Sequence, residues 1–489
     1  MNVKKVVAAV AGAAAVGNAV HAAFYKPQKK DVMVFERGEV NVERYRKNLS
    51  DAIKIKTISN RVAEDTDWNE FQRFHDFLDE AYPLIKANLE KEVVPPANLI
   101  YRWKGKDASL DPIALCSHQD VVPVSEGTEN DWTYDPFSGV DDGEFIWGRG
   151  SLDMKNHLIG VMEAVESLLE EGFEPERDVY LLFGDNEEVV ANIDNGATAI
   201  MNVLKDRGVH LDAIIDEGGA MLPVNVKGVM NNKYLAGIGI AEKGYADIEI
   251  TVCAKGGHSS QPPKHTALGR LANVIKDLED NQFKASFSDS MKSLFDSIGR
   301  ECTYPVRLIT CNLPLLYPAL LEVCKLIPPA ASMVRTTTGV TMASGSPAAN
   351  VLPQRASITV NFRAMPGTST DDIVNHIRRV VRDKDIEINV LNSKEASSFS
   401  PTDSRSYGII AKLVKGIEPD AIVAPFLVMG GTDACYYEPI CENIYRFAPY
   451  KADTELLLHV HGTNERIPVK SLEEALVFFT NYIRLASDK

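Results

Sequence analysis

The sequence is poor in the features that would mark several common protein classes. It has seven cysteines in 489 residues, an odd number, and no C-x-x-C pair. That excludes a disulfide framework and a zinc ribbon. Cys116, Cys253 and Cys324 stand in apolar runs and read as buried thiols. Positive charge is in deficit: 52 Lys and Arg face 68 Asp and Glu, giving a net charge of -16 and a pI near 5.2. An acidic surface repels phosphate backbones, so a nucleic-acid partner is excluded. Repeats and low-complexity tracts are missing beyond the N-terminal segment. What is present is ordinary for a globular protein, with 45% hydrophobic and 25% charged residues, and the length suits two or three domains.

The first residues stand apart. Lys4 and Lys5 precede an Ala/Val-rich stretch from Val6 to about Val20, and Val20-His21-Ala22 resembles a signal-peptidase site. The stretch is short against the ~20 apolar residues of a membrane span. A cleaved signal, an uncleaved anchor and a surface helix all fit it. The first two remove residues 1–30 from the fold and imply a secreted or membrane-anchored, extracytoplasmic protein, the anchor attaching it to a membrane through its N-terminus. The third leaves a cytoplasmic one.

From Asn41 onward helical and strand patterns alternate. Residues Trp68 to Leu89 read as helix. Ile113 to Cys116, Val179 to Phe183 and Ala213 to Ile215 are short apolar runs, the pattern of buried strands in a largely parallel sheet. Between them, Lys155 to Glu170 is amphipathic, with Leu158, Val161, Met162, Val165, Leu168 and Leu169 on one face. The order implies an α/β layer architecture. Near Lys243 the pattern changes. Tyr245 to Val252 alternates like a strand, followed by a helix at Thr266 to Leu278, strands at Thr337 to Ala343 and Ala356 to Ala364, a helix at Thr370 to Arg382 and a strand at Ile386 to Leu391. That β-α-β-β-α-β order belongs to a small ferredoxin-like α+β domain. Residues 281–335 form a helical insertion within it, and the chain closes with a helix at Leu472 to Ala486. The expectation is a mixed, largely parallel α/β domain at 38–242 and 396–489, interrupted by an inserted smaller domain at 243–395.

The chemistry clusters just after predicted strands. His118 and Asp120 follow IALC, Glu187 and Glu188 follow VYLLF, and Asp216 and Glu217 follow AII, while Asp153 stands at the start of the long helix. Ligands of open α/β sheets bind beyond the carboxyl ends of strands. So many carboxylates in one crevice would repel one another unless divalent cations sat among them. A His/Asp/Glu set suits zinc, and after it manganese or cobalt. A carboxylate shared by two cations would hold them ~3.5–4 Å apart.

The segments SHQDVVPV, DPFSG with IWGRGSLDMK, NEE, IDEGG, GGHSSQPP and HGTNE, in that order, resemble the aminoacylase/carboxypeptidase S family of dizinc metallopeptidases, and most of all its carboxypeptidase S and N-acyl-amino-acid hydrolase branch. The likeness runs from about residue 40 to the end. It implies two zinc ions (cobalt or manganese in their place), with His118 on one, Asp153 bridging, Glu188 on the other, Asp216 or its neighbour Glu217 completing the His118 side, and His461 or His459 completing the Glu188 side. Asp120 would orient His118, and Glu187 would be the general base. His258 in KGGHSS would supply a donor to the oxyanion from the inserted domain, in cis or across a homodimer. Asn350 and Arg363 would hold the substrate carboxylate, with Gly430, Gly431 and Thr432 as a contacting loop. The implied substrate is a small peptide or an N-acyl amino acid, cleaved at the amide next to a free amino-acid carboxylate. Two departures stand out: Asp185 and Asn186 replace a His-Asp pair, and Cys435 replaces an arginine after TDA. They motivate an alternative, a weakly catalytic protein that binds metal and amino acids.

Overall fold

The computed structural model describes residues 16–26, 40–189 and 195–489. The start of the N-terminal stretch, residues 1–15, lies outside the described residues. Residues 16–24 are helical and pack onto the rest of the chain.

A nine-stranded mixed sheet carries the larger body. Its centre is parallel: Val179–Gly184, Ile113–His118, Ala213–Asp216 and Ile444–Arg446 lie side by side in that order. Every residue of Ile113–His118 and Val179–Gly184 is buried, as expected of apolar runs covered on both faces. Antiparallel pairs flank this centre, Glu90–Val94 with Asn98–Trp103 at one side and Met221–Val226 with Met230–Glu242 at the other. Ile422–Val428 runs parallel to Met230–Glu242. The helices Val42–Ile53, Lys155–Glu170 and Val469–Ala486 share one apolar core with the sheet, and Gly196–Asp206 closes the other face. Lys155–Glu170 has the limits its periodicity predicts. The single helix expected over Trp68 to Leu89 is instead two, Trp68–Ala81 and Pro83–Asn88. Pro83 has no N–H to give, and the residue before it, Tyr82, is driven out of helical geometry to φ -126°, ψ 70°.

The smaller body is a four-stranded antiparallel sheet in the order Thr337–Ser344, Arg355–Ala364, Gly244–Cys253, Ile386–Lys394. Arg355–Ala364 buries every second residue, and the buried set packs on the helices Ala267–Asp280 and Thr370–Val380. This is a core of its own. The helical insertion, although inside this region in sequence, packs elsewhere. Met291 and Leu294 of the helix Asp289–Glu301 meet Ala424, and Cys302 meets Met230 and Ile422, so the insertion covers the apolar flank of the large sheet.

The two chain crossings between the bodies run together. Ser397 N–H donates to the Glu242 carbonyl at 3.2 Å, and Glu242 N–H donates to Ser397 Oγ at 2.7 Å. A side chain on Gly244 would put Cβ 2.6 Å from Ala396 N, so glycine is required for this close approach.

Candidate metal centre

Five chain segments, those of His118, Asp153, Glu187–Glu188, Glu217 and His461, converge at the carboxyl edge of the parallel strands. His118 is the last residue of its strand, in register with Gly184, so the Glu187–Glu188 turn leaves the sheet beside it. Asp153 ends the loop leading into Lys155–Glu170, and His461 arrives from the far end of the chain. Asp153 stands between the two histidines: Oδ1 lies 3.2 Å from His118 Nε2 and Oδ2 lies 3.1 Å from His461 Nε2. His461 Nε2 is also 3.0 Å from Glu188 Oε2, and His118 Nε2 is 3.4 Å from Glu217 Oε1. His118, Asp153 and Glu188 converge closely enough to share one cation, as do His118, Glu187 and Glu217.

Of the two neighbouring acids expected here, Glu217 is the one within ion-pair distance of His118 in this structure. Asp216 ends its strand in register with Arg446, and its backbone carbonyl accepts from Phe447 N–H at 2.7 Å. Successive side chains of an extended chain alternate in direction. Glu217 turns toward His118, and one Asp216 oxygen, like one of Glu188, is buried without a hydrogen-bond partner. His459 lies apart from the cluster. Its Nδ1 is 2.7 Å from the Thr463 carbonyl, and the ring of His461 is the one that reaches the cluster. His461 itself sits at φ 61°, a left-handed geometry that costs a non-glycine residue ~1–2 kcal/mol.

Asp120 organises the site with its backbone as much as its carboxylate. The Asp120 carbonyl lies 3.0 Å from His118 Nδ1, which fixes the ring so that Nε2 faces the centre. Its carboxylate accepts the N–H groups of Glu187 and Glu188, both at 3.1 Å. A second carboxylate, Glu465 of the HGTNE segment, was not among the expected site residues. It pairs with buried Arg149 at 2.5 Å and accepts the N–H groups of Leu152 and Asp153 at 2.9 and 3.1 Å. Arg149 also donates to the carbonyls of His461 and Gly462, both at 3.1 Å.

The electrostatics are those of a cation site. The hydrogen bonds from Asp153 and then Glu188 push His461 up to about 10. Burial works against charging His118, yet Glu217, Asp120 and Asp153 together raise it well above its usual range. Burial, and next the neighbouring Glu217 charge, raise Glu187 well above the usual carboxylate range. Burial and Asp153 push Glu217 up to about 8. The bases hold protons and the acids resist losing them, because the cluster has too much negative charge for its burial. One Glu188 oxygen is buried without a hydrogen-bond partner, as a donor atom awaiting a cation would be. Nitrogen and oxygen donors of this kind suit zinc, and the residues present fit it.

The remaining expected residues lie on the smaller body or at the junction. His258 and Asn350 are neighbours there, joined by Ser259 N–H to the Asn350 carbonyl at 3.1 Å, and both are exposed. Neither belongs to the buried cluster. Arg363 lies over the Tyr245 ring at 4.7 Å. Gly431 is exposed, whereas Thr432 is buried, giving N–H and hydroxyl hydrogen bonds of 2.9 Å to Glu242. Lys394, from the second crossing, sits 3.2 Å from Glu242 and donates to the Thr432 carbonyl at 3.1 Å. Lys394 and Cys435 interact directly, so a cation is present beside the position where the resemblance expects an arginine. Lysine reaches that place from 41 residues away in the chain, and no local motif announces it. Asp185, at the other departure, is buried and accepts Ala97 N–H at 2.8 Å, serving the backbone rather than the cluster.

Comparison with known proteins agrees with this arrangement. The model of peptidase family M20/M25/M40 matches residues 114–485. The chain is 37% identical over 441 residues to a probable carboxypeptidase S-like 2 of Dictyostelium discoideum, covering 89% of this chain and 84% of that one. It is 31% identical over 444 residues to the N-fatty-acyl-amino acid synthase/hydrolase PM20D1 of Homo sapiens (90% and 87%), and 30% identical over 490 residues to carboxypeptidase S of Saccharomyces cerevisiae (89% and 83%). Among solved structures, the M20 family metallo-carboxypeptidase Sso-CP2 from Sulfolobus solfataricus superposes with a TM-score of 0.65 at 17% identity, covering 91% of this chain and 99% of that one. With a matched span that takes in His118, Asp153, both glutamates and His461, the chain belongs to peptidase family M20/M25/M40 and is a hydrolase of carbon–nitrogen bonds.

Proposed function

We propose that this enzyme cleaves the amide of an N-acyl amino acid with a free carboxylate, using two zinc ions. The observation that carries the proposal is Asp153, whose two oxygens face two different histidines at 3.2 and 3.1 Å. His118, Asp153 and Glu217 would hold one cation, and Asp153, Glu188 and His461 would hold the other. When bound, the pair neutralises the carboxylates, polarises the scissile carbonyl and acidifies the attacking water. Glu187 receives the proton of that water and returns it to the leaving nitrogen. Its burial favours the protonated form needed for the second transfer. Arg149 and Glu465 keep the Asp153 loop and the His461 loop in one geometry throughout. The substrate carboxylate is taken by Arg363 and Asn350 with the exposed backbone of Gly430 and Gly431. His258 serves the oxyanion, reaching the site by closure of the smaller body or from the second copy of a homodimer.

An apolar cavity supports an acyl group over a peptide. About 320 Å³ in volume, it is bounded at one end by Asp153 and Glu217 and walled by Leu222, Leu235, Leu294, Phe426, Leu457 and Val460. A hydrocarbon chain gains ~0.8 kcal/mol per methylene buried there, whereas peptide groups would lose their hydrogen bonds to water. The test is hydrolysis of amino acids acylated with chains from acetyl to palmitoyl, beside blocked dipeptides, by wild type and Glu187→Gln with zinc content measured. Turnover that rises with chain length, and is lost in the variant with two zinc ions retained, is the expected result. Two zinc ions and no turnover on any substrate would favour a metal- and amino-acid-binding protein. Failure to bind metal after supplementation would overturn the proposal.

A further inference from the structure

The helix Leu313–Leu326 has an inverted surface. Its exposed positions are Pro314, Leu315, Leu316, Pro318, Ala319, Glu322, Val323 and Leu326, with one charge among them. An ordinary surface helix turns such residues inward. Leu315 is 80% exposed and Leu326 82%. The preceding helix Tyr304–Thr310 adds Ile309 at 60%. From Tyr304 to Val334 the only charged side chains are Arg307, Glu322 and Lys325, and Lys325 pairs with Glu322 at 2.7 Å.

The N-terminal helix extends the same surface. Ala22 and Tyr25 pack on Cys311 and Leu308, Asn18 donates to the Leu308 carbonyl at 3.0 Å, and Tyr304 Oη donates to the Ala19 carbonyl at 3.2 Å. Its outward residues are Val16, Val20 and Phe24, the last 82% exposed. In sequence this helix continues the Ala/Val-rich stretch that begins at Val6. Among the described residues no single helix is long and apolar enough to cross a membrane, but Tyr304–Thr310 and Leu313–Leu326 together meet that length and composition, with a bend of 90° between them. A bent apolar pair, flanked by a second apolar helix and with tyrosine at its start, suits insertion into one leaflet rather than passage across.

We infer that this face, formed by Leu313–Leu326, Tyr304–Thr310 and the helix at 16–24, docks on a lipid bilayer. Two stretches of chain, nearly 300 residues apart in sequence, meet with exposed apolar residues on adjoining helices, and in the sequence Val6 to Ala15 holds only Ala, Val and Gly. An apolar patch of this kind on a protein of net charge -16 binds by hydrocarbon burial and gains nothing from anionic headgroups. The inference does not depend on the acyl assignment, although Leu294, a residue of the same insertion, is a wall of the cavity.

The test is flotation of the full chain with phosphatidylcholine vesicles, with and without phosphatidylglycerol, at low and high salt. Wild type should float with neutral vesicles and stay bound at high salt. The double variant Leu315→Asp/Leu326→Asp should lose about tenfold in partition per leucine, with its unfolding temperature unchanged. A Leu268→Asp variant, exposed on the smaller body, should float as wild type does. No flotation of wild type would overturn the inference. So would equal flotation of the double variant, since the N-terminal stretch would then carry the binding alone. A vesicle-free dimer that the double variant dissolves, with no flotation, would assign the face to a second copy and overturn it as well.

Discussion

Glu465 pairs with Arg149 in the protein interior, its Oε2 2.5 Å from the guanidinium, while its Oε1 accepts the amide protons of Leu152 and Asp153. The pair joins segments 316 residues apart, and the same arginine holds the carbonyl of His461. Breaking a buried pair by removing one charge leaves the other uncompensated, at ~3–5 kcal/mol. Glu465→Gln should therefore lose several kcal/mol in chemical denaturation. Its zinc affinity should fall by ~10–100-fold, the usual effect of removing a partner that orients a ligand. Unfolding curves and metal titration check the two effects separately.

Glu187→Gln removes the proton carrier without removing a histidine or the Asp153 bridge. Turnover should fall ~10²–10⁴-fold while two zinc ions remain bound. Steady-state kinetics with metal analysis on the same sample decides it.

The neighbouring acids of IIDEGG should behave differently. Glu217→Gln should weaken zinc on the His118 side tenfold or more, lowering the content of dialysed protein from two toward one per chain. Asp216→Asn should retain both ions, because it is Glu217 whose carboxylate lies within ion-pair distance of His118, at 3.4 Å. Equal metal loss in the two variants would contradict the placement of Glu217.

His157 should make the protein acid-sensitive. It is fully buried against Phe479, both ring nitrogens lack partners, and burial lowers its pKa to about 3. Above pH 6.5 the ring is neutral in both folded and unfolded chains and contributes nothing to pH dependence. As pH falls below 6.5 the unfolded chain takes up the proton and the folded one refuses it until about 3. This residue thus removes about 1.4 kcal/mol of stability per pH unit through that window, or about 2 kcal/mol by pH 5. His157→Phe should remove that part of the slope in urea titrations compared between pH 7 and pH 5.

The cavity beside Asp153 should measure its substrate. Ala448 lines it, and Ala448→Phe would occupy space otherwise open to a chain end. Displacing two methylenes costs ~1.6 kcal/mol, so kcat/KM for the longest acyl chain should fall about tenfold or more. Acetylated amino acids should be cleaved as before.

Local pattern carried much of this architecture. Apolar runs at 113, 179 and 213 became the parallel centre of the sheet, and the acidic residues after them converged because parallel strands end at one edge. The order β-α-β-β-α-β produced the four-stranded sheet with its two helices. What escaped depended on distance or direction. Whether Asp216 or Glu217 faces His118 is decided by where the strand ends, and one residue reverses the answer. Lys394 and Arg446 lie 3.2 and 3.1 Å from the buried Glu242 carboxylate, a cluster made by folding alone. The insertion packs against the large sheet because that surface is apolar, although its sequence position lies within the other body. Pro83 was legible and decisive, ending a helix that periodicity would have carried to Leu89.

The histidine that faces the second oxygen of Asp153 comes from near the end of the chain, after both crossings between the bodies. During synthesis, His118, Asp153, Glu187, Glu188 and Glu217 leave the ribosome first, and the smaller body follows with its own separate core. A nascent chain ending at residue 450 would hold one histidine of the pair and no Glu465 to brace the loop. The centre is thus assembled in two installments, the second arriving only after the smaller body and both crossings have been made.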